Sequence, residues 1–192
     1  MPKQNDEPVT VKQTLTEQDY AAASAAVGYF AAPMRRRTVR AALCLTVSAL
    51  TASVIPACGG YSAARVVGAI AILCAAAAIA VWFGQPVADR RRAGRWFRSC
   101  PLAALPAEVT VSGDRAVVKS ECERMTEYWT DFSVCVETDE LIAAAGGRER
   151  FLLIVKKSGL SKEEAGRLSG LFRYAFEGRW YRMNGKNGKG GK

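Results

Sequence analysis

Two uncharged stretches stand almost back to back in this chain, Ala41 to Ala64 and Val66 to Ala88, separated by Arg65 alone. Each is longer than the ~20 apolar residues that a helix needs to cross the hydrocarbon core of a bilayer. A soluble core in a chain of 192 residues would have to cover both runs on every side. The pair therefore predicts a membrane hairpin spanning 35–88. Its first helix covers about 38–57, the turn is Cys58-Gly59-Gly60-Tyr61-Ser62, and its second helix covers about 63–83. Trp82 and Phe83 close the second helix with rings suited to the bilayer interface. Ala71 with Ala75, or Ala76 with Ala80, supplies a small-xxx-small pair for close packing, within one hairpin or between two chains. Neither expected helix contains an acid or amide of the kind that marks transport or proton relay.

Charge sets the expected orientation. Arg35, Arg36, Arg37 and Arg40 precede the first run, and Arg90, Arg91, Arg92, Arg95 and Arg98 follow the second. Both outer flanks are basic, so the positive-inside rule places two spans in the cell membrane with both termini cytoplasmic. The net charge of +9 does not point to nucleic acid, because residues 99 to 178 carry 10 basic and 13 acidic side chains. The basic surplus sits beside the apolar runs and in the tail, where anionic lipid headgroups explain it. A competing reading takes Ile55-Pro56-Ala57-Cys58 as a lipobox, which makes the chain an exported lipoprotein started at Met34. The residues ahead of Met34 carry structure of their own, which disfavours that reading.

In segment 1–34, Val9, Val11 and Leu15 alternate as in a strand. This strand is expected to pair with an edge of the C-terminal sheet, since its backbone groups have no other cytoplasmic partner. Thr16 is a helix cap, with Asp19 in the position where a capping box carries Glu or Gln. Tyr20, Ala23, Val27 and Phe30 follow at helical spacing until Pro33.

Beyond the hairpin, 89–106 reads as a basic juxtamembrane segment in the headgroup layer, then a linker between Pro101 and Pro106. Arg90, Arg91, Arg92, Arg95, Trp96 and Arg98 are its candidate membrane-surface contacts. Residues 107–178 read as a series of short strands, EVTVS, RAVVKS, RMTEYWTDF, SVCVET, LIAAA and RFLLIVKK, of which SVCVET alternates and RFLLIVKK is strongly apolar. Ser161-Lys162-Glu163-Glu164 is a capping box, and the helix after it aligns Ala165, Leu168, Phe172 and Phe176. The expected fold is an α+β membrane protein: a two-helix transmembrane hairpin plus a cytoplasmic antiparallel meander or barrel capped by a C-terminal helix. The tail, 179–192, reads as basic and disordered, with Arg179, Trp180 and Arg182 as further membrane-surface candidates.

Catalytic chemistry is poorly supplied. The chain has no histidine, which removes Ser/His and Cys/His nucleophile pairs. The terminal GKNGKGGK precedes no helix and is not a phosphate loop. Cys44, Cys58 and Cys74 lie in or beside the apolar runs, while Cys100, Cys122 and Cys135 are too dispersed to signal zinc or a disulfide framework. Glu121, Glu123, Glu127 and Asp131 read as a solvated face. The expectation is a non-enzymatic chain with no cofactor and no metal. It acts as a membrane-tethered module for anionic lipid headgroups or a protein partner, or else as a structural or regulatory subunit of a larger membrane complex.

Three short motifs carry a resemblance: Leu15-Thr16-Glu17-Gln18-Asp19-Tyr20 at the first helix start, Trp129, Phe132, Val136 and Glu137 in the C-terminal domain, and the strand end Ile154-Val155-Lys156-Lys157. With two membrane helices between the first motif and the others, the chain resembles the YcxB-like membrane protein family. Val155 stands where the family motif has proline. The resemblance implies a bacterial membrane protein and an architecture without assigned catalytic residues. By analogy it implies a pleckstrin-homology-like cytoplasmic domain, several strands capped by one helix.

Overall fold

The structure is a computed structural model that describes residues 8–31, 36–57, 60–148 and 150–183. In chain order its elements are β1 (Val9–Gln13), α1 (Glu17–Ala31), α2 (Arg37–Val54), α3 (Tyr61–Ser99), β2 (Ala107–Val111), β3 (Arg115–Ser120), β4 (Arg124–Tyr128), β5 (Val134–Glu137), β6 (Leu141–Ala145), β7 (Leu152–Lys156), α4 (Lys162–Ala175) and β8 (Trp180–Arg182). They form two compact units. One combines residues up to Ala31 with those from Arg92 onward, and the other comprises the residues between.

In the second unit, α2 continues as a 3-10 turn over Ile55–Ala57, and α3 starts at Tyr61. Both helices are long and apolar enough to cross a membrane, with mean hydropathy of 1.7 and 2.6, yet only 6% and 11% of their most apolar windows is buried. Leu43, Leu50, Ile72, Leu73 and Phe83 all point outward. The covered residues are small, Ala41, Ala71 and Ala78, with Ala75 half-buried. Ser48 Oγ donates to the Ala71 carbonyl at 2.8 Å, a contact that bulkier side chains on this face would prevent. Of the two small-residue pairs, Ala71 and Ala75 lie on the packed face, while Ala76 and Ala80 are exposed. Thr46 and Thr51 return their hydroxyls to the carbonyls of Ala42 and Val47, which satisfies them without water. The glycine turn expected at Cys58-Gly59 lies outside the described residues.

The second helix does not end at Phe83. α3 has 39 residues and passes Gln85 and Pro86 before reaching Ser99. Hydropathy marked the limit of apolar character, not of the helix, because Ala and Arg propagate a helix as well as Leu does. The segment expected as a surface strip and linker is thus the last turns of α3, then a 3-10 turn over Pro101–Ala104.

The first unit contains two four-stranded sheets in place of the single meander or closed barrel expected, ordered β1-β2-β3-β4 and β7-β6-β5-β8. β1 pairs antiparallel with β2, Val9 opposite Val111 and Val11 opposite Val109, so the N-terminal segment is a strand of the C-terminal domain. The meander breaks after β4, where Trp129–Asp131 forms a 3-10 turn. Trp129 is buried there and donates its indole N–H to the Ser112 carbonyl at 2.9 Å.

The second sheet is covered on both faces, which explains why β5, β6 and β7 are apolar at nearly every position. Cys135, Ile142, Ala144, Leu153 and Val155 face the first sheet and Leu168, Leu171, Phe172 and Phe176 of the α4 segment. Val134, Val136, Leu141, Ala143, Ala145, Leu152 and Ile154 face Ala23, Ala26 and Val27 of α1. Removing α1 would wet a whole sheet face. Val155, where the family motif has proline, continues β7 and is fully buried. The reciprocal Ser161–Glu164 cap starts α4. Trp129, Phe132, Phe172 and Phe176 then form an aromatic cluster with centroids 5.0 to 6.2 Å apart.

Two further features depart from the sequence reading. Residues 180–182, placed in a disordered tail, form β8 and pair parallel to β5, Cys135 opposite Trp180. The facing edges of the two sheets are also joined by one side chain. Gln13 at the end of β1 donates Nε2 to the Ile154 carbonyl at 2.6 Å and accepts the Lys156 amide on Oε1 at 2.7 Å. Its amide thereby stands in for one residue of an adjacent strand.

Candidate functional site

The basic end of α3 is built as one amphipathic surface. Ala93 and Gly94 are buried and Phe97 is half-buried, its ring 5.9 Å from that of Tyr20 on α1. Gly94 leaves room here for the Glu17 side chain, which a Cβ at this position would displace. At 100° per residue, Arg91, Arg92, Arg95, Trp96 and Arg98 occupy the opposite arc, and all are exposed. Arg90 is exposed as well. Arg98 donates Nε to the Gly94 carbonyl and lies 4.0 Å from Glu17, a loose pair more than half in solvent. The arc is a cationic strip with one indole, Trp96, 63% exposed.

The C-terminal candidates are arranged differently. The Arg179 guanidinium donates to the Phe132 carbonyl and sits over the Phe176 ring at 5.5 Å. Trp180 is half-buried beneath the Arg173 guanidinium, 5.6 Å from its ring centre, and its buried Nε1 has no hydrogen-bond partner among the described residues. Arg182 is exposed on β8. Lys186, Lys189 and Lys192 lie outside the described residues.

Two acids are buried that the sequence reading left elsewhere. Glu127, assigned to a solvated face, is fully buried, and its carboxylate accepts the backbone amides of Arg148 at 3.0 Å and Arg150 at 2.7 Å. The signal was present in the alternation of β4, because Glu127 shares a face with the buried Met125. Glu137 is 3% exposed at the end of β5 and accepts Lys157 Nζ at 2.5 Å and Ser169 Oγ at 2.7 Å. A carboxylate in a strand covered on both faces has to be paired, so its apolar context was the clue. Asp19 closes the cap of α1 with the Thr16 amide and hydroxyl, and also takes Lys156 Nζ at 2.8 Å. Partial burial opposes its charge, yet these bonds together hold its carboxyl below the ordinary aspartate range.

The Glu137 cluster opens into a groove of ≈ 510 Å³ along α4, lined by Asp139, Lys157, Gly166, Ser169, Arg173 and Arg182 among others. Within it the Lys157 ammonium donates to both Glu137 and the Thr138 carbonyl, and Ser169 Oγ lies within 2.9 Å of the Ala165 carbonyl. These groups compensate one another and leave no free base beside a free nucleophile. Cys135 is fully buried, and desolvation with the neighbouring Glu137 charge pushes its thiol far up, out of reach of thiolate chemistry. Among the described residues, no three Cys, Asp or Glu side chains gather as metal ligands would. Compared with family models, curated proteins and solved structures, the chain matches none.

Proposed function

We propose that this chain is an integral membrane protein that tethers a two-sheet cytoplasmic domain to the cell membrane as a non-enzymatic interaction module for anionic lipid headgroups. The observation that carries the reading is the inverted burial of α2 and α3. Their Leu, Ile and Phe side chains face outward while alanines fill the seam, the arrangement that suits a hydrocarbon solvent. Arginines at both outer flanks favour cytoplasmic termini, and the exposed arc of Arg91, Arg92, Arg95, Trp96 and Arg98 provides the headgroup contact. The internally compensated charges at Glu127, Glu137 and Asp19 support a binding role over a catalytic one. Strands capped by α4 keep the YcxB-like and pleckstrin-homology-like analogies as part of this proposal, though with open sheets.

The lipoprotein alternative fares poorly. A start at Met34 would delete β1 and α1, stripping one edge of the first sheet and one face of the second. The test is alkaline carbonate extraction of membranes from cells expressing the full chain. The protein stays in the pellet if α2 and α3 span the bilayer, and release into the supernatant would overturn the reading.

A further inference from the structure

The outer strands of the two sheets are β1, β4, β7 and β8, and they are left in different states. β1 and β7 are joined through the Gln13 amide, and β8 is only three residues long. β4, Arg124–Tyr128, is the remaining edge. Its pairing with β3 shows which backbone groups are committed. The Ser120 amide donates to the Glu123 carbonyl at 2.8 Å at one end of the pair, and the Trp129 amide donates to the Asp114 carbonyl at 3.1 Å at the other. Bonded and non-bonded positions alternate along an antiparallel pair. With Met125 opposite Val118 and Glu127 opposite Ala116, the bonds to β3 therefore fall on Met125 and Glu127. The amides and carbonyls of Arg124, Thr126 and Tyr128 point away from β3, and no described residue bonds them.

Sheet edges are ordinarily guarded by proline, lysine or a bulge. The sequence of β4 has no proline or lysine, and its register to β3 runs without a bulge. Its acid, Glu127, is buried on the inner face, so it does not meet an incoming strand. The outer side chains Arg124, Thr126 and Tyr128 are all exposed. This row is complementary to itself when reversed. A second β4 laid antiparallel, with Thr126 on the two-fold axis, sets each Arg124 opposite the Tyr128 of the other copy and threonine opposite threonine. Every free amide and carbonyl of the row then meets a partner, whereas a slip by one pleat leaves one end unpaired. Tyr128 comes to stand between Arg115 of its own β3 and the incoming Arg124. Cation against ring and threonine against threonine are favourable cross-strand pairs, and no like charges meet across the seam.

We propose that β4 is a homodimerisation edge: two copies of this chain pair through Arg124–Tyr128 about a two-fold axis at Thr126, joining their first sheets into one continuous sheet. The occupant is a second copy because the row complements itself, in charge and in backbone register, without any other partner. Such an isologous contact closes after one copy and leaves no edge for a third. The inference does not depend on the lipid contact proposed for α3.

The test places single cysteines in the full chain, in a background lacking the native ones, and treats the expressing cells with a short, membrane-permeant bis-maleimide. Cα atoms in a hydrogen-bonded antiparallel pair lie about 5.5 Å apart, so Thr126→Cys should link to its own copy. Lys119→Cys is exposed on the same face but one strand further in, and strands are spaced about 4.8 Å apart, so it should give no dimer. Thr126→Pro, made in the native chain, removes an amide that β3 does not use, as edge strands tolerate. Native mass spectrometry in detergent should find the native chain as a dimer and Thr126→Pro as a monomer, with Cys135 still unreactive as the sign of an intact fold. A Thr126→Cys chain that stays monomeric, or that links to another protein, overturns the proposal. So does a Thr126→Pro chain that remains a dimer with Cys135 protected. Equal linking at Lys119→Cys reports crowding and overturns it too. If Thr126→Pro exposes Cys135, the cross-link at Thr126→Cys decides alone.

Discussion

Replacing Gln13 by Leu tests whether one side-chain amide joins the two sheets. Leu keeps the volume but removes both the bond to the Ile154 carbonyl at 2.6 Å and that from the Lys156 amide at 2.7 Å. Each intramolecular bond contributes about 0.5–1.5 kcal/mol net, and a buried group left without a partner costs about 1–3 kcal/mol. These edges are only part-buried, so the loss should be about 2 to 4 kcal/mol, confined at first to the β1–β7 junction. Gln13→Glu should fall between, since a carboxylate still accepts the Lys156 amide but opposes the Ile154 carbonyl. The assay is amide hydrogen exchange on the full chain in detergent, read on peptides containing Lys156 and, as a control, Val117 on β3. At about 1.4 kcal/mol per factor of ten, Lys156 should exchange roughly 30- to 1000-fold faster in Gln13→Leu, with Val117 little changed. Exchange at Lys156 within about threefold of the native rate would refute the junction, because a loss of about 2 kcal/mol or more predicts at least about 30-fold.

Other substitutions test other parts of the account. Lys157→Met strands the Glu137 carboxylate and should destabilise by about 3–5 kcal/mol in denaturant melts, with Lys157→Met/Glu137→Gln recovering much of that loss. Gly147→Ala should cost about 1–3 kcal/mol through its clash with backbone and ring. Gly166→Ala on open α4 surface should instead be neutral or stabilising by up to about 1 kcal/mol. Asp19 and Glu164 both hold depressed carboxyl pKa values: Asp19 by the Lys156 and Thr16 bonds that outweigh its burial, Glu164 by the Ser161 amide and hydroxyl. Their stabilisation is therefore present above the ordinary carboxylate pKa and lost as pH falls through the lower folded value. Asp19→Asn should flatten the acid limb of a stability profile and leave the neutral plateau lower. Cys100 and Cys122 are exposed and should alkylate in the native protein, whereas Cys135 should react only after unfolding.

Much of the architecture was written in local pattern. The apolar runs fixed α2 and most of α3, alternation and short apolar runs between turn residues located β1 to β7, and the Thr16 and Ser161 caps placed two helix starts to the residue. What escaped was partnership across long separations. That α1 covers Val134 and Ile154, making one sheet two-sided, follows from contacts over more than a hundred residues that periodicity does not encode. β8 is three residues long and exists because β5 offers an edge, so Trp180 and Tyr181, strand formers by type, make too short a run to show as a strand in sequence. For the candidate surface, the arginines of α3 were legible as a charge cluster. Phe151 was read as the start of an apolar strand, since nothing local shows that it turns outward while Leu152 and Leu153 turn in.

The central claim is a membrane hairpin with both ends on one side, and topology mapping on the full chain tests it most directly. A dual reporter fused after Lys192, together with Tyr61→Cys at the exposed start of α3 in a background lacking the native cysteines, reads both sides in one experiment. The account predicts activity of the cytoplasmic reporter alone and labelling of position 61 by a membrane-impermeant thiol reagent added outside intact cells. An exported C-terminal reporter, or a position 61 that reacts only after the membrane is broken, would contradict it.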